Sequence, residues 1–89
     1  MRIKKGFVLR ELVGQKIVTG EGLEQIDFNK LVSLNSSAAY LWEHLVSREF
    51  DLETMVDLLL ERYDIERSVA LKDARALLDN WKSIGLIED

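Results

Sequence analysis

Within a dozen residues the chain changes from strand to helix, and that junction constrains its fold more than any other stretch. Leu31, Val32, Ser33 and Leu34 make a short apolar segment with a branched residue, which suits a strand. Asn35, Ser36 and Ser37 come next, and each is a good helix N-cap. Ala38, Leu41, Trp42 and Leu45 then recur at helical spacing. Residues before the junction read as strand, and residues after it read as helix.

Upstream, Phe7-Val8-Leu9-Arg10-Glu11-Leu12 predicts a first strand with Phe7 and Leu9 on one face. Val13-Gly14 is a tight turn, and residues 15–19 form the second strand of a hairpin. A polar loop comes after it. Residues 26–28 begin a third strand that residues 31–34 complete, with Asn29-Lys30 as a bulge or turn between them. Downstream, the first helix is expected over residues 37–48. The second starts at the N-cap Asp51, where Phe50 and Met55 occupy the two positions of a hydrophobic staple. Its apolar face is Leu52, Met55, Val56, Leu59, Leu60 and Tyr63. The third helix begins between residues 64 and 68 and carries Ala70, Ala74, Leu77, Leu78, Trp81 and Ile84 on one stripe. Gly85 ends it as the left-handed C′ residue, with Leu86 and Ile87 supplying the apolar contact that accompanies such caps and Glu88-Asp89 as an exposed tail. The expected fold is α+β, one domain over residues 1–89: a three-stranded antiparallel sheet followed by three helices, like a winged helix-turn-helix.

Charge narrows what such a domain binds. Residues 1–16 carry Arg2, Lys4, Lys5, Arg10 and Lys16 against Glu11 alone, a net +4, and the remainder carries −8. Residues 51–66 hold six acidic side chains and one basic, Arg62. The third helix has Arg67, Lys72, Arg75 and Lys82, but beside so acidic a neighbour it would be repelled by phosphate. Nucleic acid is therefore not the expected partner, although a winged-helix regulator is the alternative reading. No apolar run approaches the roughly 20 residues of a membrane span. Phe7-Val8-Leu9 is too short for a signal peptide, and the absence of cysteine suits the cytoplasm.

No catalytic set assembles. His44 is the only histidine and there is no cysteine, so neither a metal site nor a histidine triad has its partners. Asp57 and Glu61 lie four apart on an exposed helix face, where paired carboxylates are simply solvated. Gly20-Glu21-Gly22 lacks the continuation of a phosphate loop. Ser36 and Ser37 have no base and serve as caps, and Trp42 and Trp81 fall on core stripes. No cofactor is expected. There remains the sheet, which must leave edges. If the strand of residues 31–34 is an edge, a peptide can pair with it through main-chain hydrogen bonds; if it is central or covered, it cannot.

Leu34-Asn35-Ser36-Ser37-Ala38-Ala39-Tyr40-Leu41-Trp42 resembles the Leu-Asn-x-Ser/Thr-Ala-x-x-Ile/Leu-Trp signature of the pyrroloquinoline quinone biosynthesis protein D (PqqD) family. The first strand, then Tyr63-Asp64-Ile65, Asp73 and Gly85-Leu86-Ile87, match that family's pattern in order and spacing. The resemblance implies a non-catalytic peptide chaperone. Such a domain binds the leader of a ribosomally made precursor peptide and presents it to a modifying enzyme, often a radical S-adenosylmethionine enzyme. The leader would add as a strand beside Leu31, Val32, Ser33 and Leu34, with Phe28 and Lys30 nearby. Arg75, Leu78 and Lys82 of the third helix would line the cleft, though the sequence does not say which flank of that helix faces it. A homodimer through the same edge is the competing occupant.

Overall fold

Two left-handed residues in succession organise the N-terminal half. A computed structural model of the chain describes residues 1–20 and 31–89. In it Val13 has φ 50° and Gly14 φ 77°, the pair of positive angles that a type I′ turn demands. This turn joins β2 (Phe7–Leu12) to β3 (Gln15–Gly20), after a two-residue β1 (Arg2–Ile3). Its register pairs Leu12 with Gln15 and Phe7 with Gly20. β4 (Leu31–Leu34) pairs antiparallel with β3, Lys16 opposite Leu34 and Thr19 opposite Leu31. The strand order is β2-β3-β4, so among the described residues β4 is an edge. The expected start of this strand at residues 26–28, the Asn29-Lys30 bulge, Phe28 and Lys30 lie outside the described residues.

Three helices complete the chain's main elements: α1 (Ser36–Leu45), α2 (Leu52–Arg62) and α3 (Arg67–Ser83). Of the three serine and asparagine candidates at the junction, Asn35 is the N-cap. Its Oδ1 accepts from the Ala38 N–H at 2.9 Å and from the Ser37 hydroxyl at 3.1 Å. α1 stops at Leu45 rather than at residue 48, because Val46 is extended and Ser47 is left-handed, turning the chain toward Phe50. Asp51 caps α2 as expected, and its partner is Thr54: the Thr54 N–H donates to Asp51 Oδ1 at 2.9 Å while the Asp51 N–H donates to Thr54 Oγ1 at 3.4 Å. α3 ends in a Schellman motif at Gly85 (φ 82°), with the Leu86 N–H donating to the Trp81 carbonyl at 2.9 Å and the Gly85 N–H to that of Lys82 at 3.2 Å.

The expectation that only helix comes after the junction needs one correction. Ile87–Glu88 forms β5, which pairs antiparallel with β1, Ile3 opposite Ile87 and Arg2 opposite Glu88. Two residues per strand give no alternation to read, and the partners are more than 80 positions apart.

The core lies between the inner face of the three-stranded sheet and the helices. Val18 and Leu34 enter it from the sheet, with Phe7, Leu9 and Val32 packed against it. Leu41, Trp42 and Leu45 enter from α1, Met55, Val56 and Leu59 from α2, Ala70, Ala74, Leu78 and Trp81 from α3. The two tryptophans meet edge to face, 5.4 Å between centroids and 84° between planes. Leu86 closes the base.

Candidate peptide-binding site

The turn that fixes the hairpin also fixes which backbone groups of β4 face outward. A two-residue I′ loop is closed by a hydrogen-bonded pair, here Leu12 and Gln15. Hydrogen-bonded pairs alternate along the ladder, so Gln15, Ile17 and Thr19 bond toward β2. Lys16 and Val18 therefore bond toward β4, opposite Leu34 and Val32. The N–H and C=O groups of Val32 and Leu34 are thus used within the sheet, and those of Leu31 and Ser33 point out from the edge. The side chains agree with this phase. Leu34 is buried and Val32 half-buried on the inner face, whereas Ser33 is exposed and Leu31 is 67% exposed on the outer one.

Two grooves meet near the end of this edge, sharing Asn35 and Tyr63. The smaller, about 570 Å³, runs between the start of α1 and α3; Leu41, Leu59 and Ile65 form its floor with Ala76 and Leu77. The larger, about 940 Å³, touches Ser33 and Leu34 of β4, Lys16 of β3, Tyr40 and His44 of α1, and Arg62 at the end of α2.

Aromatic packing shapes the larger groove. Tyr40 lies 4.6 Å from the His44 ring and 6.3 Å, edge to face, from Tyr63. The Arg62 guanidinium carbon sits 5.9 Å from the Tyr40 centroid and 6.0 Å from that of Tyr63, within cation–π range of both. Tyr40 is fixed by its hydroxyl, which donates to the Leu58 carbonyl at 2.9 Å. Burial and the neighbouring Glu61 carboxylate push its phenol above the ordinary tyrosine value, so it stays a donor at neutral pH.

The grooves use a different flank of the third helix from the expected one. Arg75 and Lys82 are exposed, and Leu78 is 5% exposed within the core; none of the three lines either groove. The flank that does is Asp73, Ala76, Leu77 and Asn80. The stripe pattern in the sequence merged Leu77 with the core residues, although it is only half-buried. The aromatic cluster went unseen as well. The four-residue spacing of Tyr40 and His44 was its one visible signal.

Two arginines elsewhere are paired with carboxylates. Arg67, a basic residue the nucleic-acid reading would use, pairs with Glu53 and with Asp57 at 3.6 Å. Arg2 pairs with Glu49. Among the described residues no group of three or more His, Cys, Asp or Glu is placed to hold a metal ion, and no helix is long and apolar enough to cross a membrane.

Comparison with known proteins gives two findings. Residues 9–87 match the family model described as coenzyme PQQ synthesis protein D (PqqD). A solved structure of TbiB1 in complex with the TbiA(beta) leader peptide superposes with a TM-score of 0.75 at 19% identity, covering 99% of this chain and 95% of that one. No curated protein matches the sequence.

Proposed function

The chain belongs to the PqqD family, and from that premise we propose that it is a peptide-recognition domain that captures the leader of a ribosomally made precursor peptide by strand addition. The observation that carries this reading is the edge of β4, which has no partner strand among the described residues and where Leu31 and Ser33 direct their main-chain groups away from β3. The similarly folded TbiB1 was solved with a leader peptide, which supports the same use of this fold. Main-chain hydrogen bonds supply affinity, and alternate side chains of the peptide fall toward the adjoining grooves. The domain itself performs no chemistry in this reading. It delivers the peptide to a modifying enzyme of the radical S-adenosylmethionine class, and Phe28, Lys30, Arg75 and Lys82 are secondary contacts.

Titration with a precursor peptide encoded beside the gene tests the proposal. Amide NMR shifts are expected at residues 31–34 and along the 73–80 flank of α3. A peptide that binds while leaving those amides unmoved overturns it.

A further inference from the structure

The two cations of the larger groove differ in what surrounds them. Lys16 lies 3.8 Å from Glu11 and 3.9 Å from Glu43, so its charge is balanced in place. Arg62 has no carboxylate within ion-pairing distance among the described residues; its neighbours are the rings of Tyr40 and Tyr63. A guanidinium supported by aromatic rings retains in-plane N–H donors in a rigid fork, the geometry that suits a carboxylate. The rings also restrict the side chain beforehand, which lowers the ordering cost of binding.

Position ties this cation to the strand edge. The groove that holds Arg62 begins at Ser33 and Leu34, the last two residues of β4. A strand added to the edge and continued past Leu34 enters it directly, advancing roughly 3.3 Å per residue. We infer that the groove at the end of β4 is a specificity subsite for an aspartate or glutamate of the captured peptide, with Arg62 as the carboxylate-binding residue and Tyr40 and Tyr63 as its platform. This rests on strand addition at β4. It adds that the peptide is chosen by an acidic residue at a fixed distance from its paired segment.

Arg62 also stands in the last turn of α2, where any cation favours the helix dipole. Arg62→Lys keeps that role and loses the fork, so it separates recognition from helix stability. The probe is a displayed library of random dodecapeptides, selected on the wild type, Arg62→Gln, Arg62→Lys and Ser33→Pro. Wild-type selection is expected to enrich Asp or Glu at one offset from an alternating apolar segment. A synthetic peptide from that pool should bind about tenfold more weakly when its acid is changed to the amide. Arg62→Gln should bind the two forms nearly equally, and Arg62→Lys should keep only part of the preference, with unchanged melting. An acid-to-amide ratio that persists in Arg62→Gln, or a pool without acid enrichment, overturns the subsite; if Ser33→Pro still abolishes binding, strand addition stands. A pool that binds Ser33→Pro as well as wild type, or no enrichment at all, overturns both.

Discussion

Val13 is a β-branched residue held at φ 50° and fully exposed, at 103%. Left-handed backbone is costly for such a residue, and asparagine is the usual occupant of this turn position. Val13→Asn is therefore expected to stabilise the domain by about 0.5–1 kcal/mol, read as a higher urea midpoint at unchanged slope. A second residue-scale effect lies at the start of α2. The Arg2 guanidinium, then the chain's amino group, hold the Glu49 carboxyl below its usual range. The Thr54 backbone N–H, then its hydroxyl, do the same for Asp51. Both pKa values are depressed on folding. Their contribution is complete above the unfolded values, about pH 4, and is lost as pH falls through the folded ones. Acid titration of stability should show this loss, and Glu49→Gln should flatten it while lowering stability at neutral pH. Asp51→Asn should flatten it while keeping the cap, because asparagine caps nearly as well.

Among the elements, β4 allows a sharp contrast. Ser33→Pro removes an amide that points outward and costs the sheet no ladder bond, so the fold is expected to survive while peptide binding is lost. Val32→Pro, one residue away, removes a bond to β3 and should lower the melting temperature markedly. Circular dichroism melts with peptide titration check both. This contrast shows where sequence reading ends. The helices and the hairpin were legible because Leu41-Trp42-Leu45 and Ala70-Ala74-Trp81 repeat at helical spacing, and Val13-Gly14 marks the turn. The edge position of β4 was left open, since an isolated strand carries no sign of its neighbours. The groove-lining flank of α3 was hidden because Leu77 and Leu78 are both leucine, and only packing distinguishes the half-buried one from the core one. The Asp51–Thr54 box was missed because threonine stands where glutamate or glutamine normally announces it.

Across the whole molecule, Trp42 and Trp81 join α1 to α3 at the centre of the core. Trp81→Ala should cost about 3–5 kcal/mol, a large share of the roughly 5–15 kcal/mol that holds a domain together, and chemical denaturation measures it. The Trp81 indole N–H has no hydrogen-bond partner among the described residues, so Trp81→Phe gives up no polar contact seen there and should cost considerably less than the alanine change. The alternation along β4 carries a last consequence. Among the described residues, Leu31 and Ser33 offer the outward groups, so a strand added there would be read in steps of two residues. Sliding a peptide by one residue would set its outward groups against the edge and turn every side chain to the opposite face. Capture by strand addition would therefore impose a reading frame with a period of two. A single inserted residue in a bound segment puts it out of phase, and a second insertion restores it.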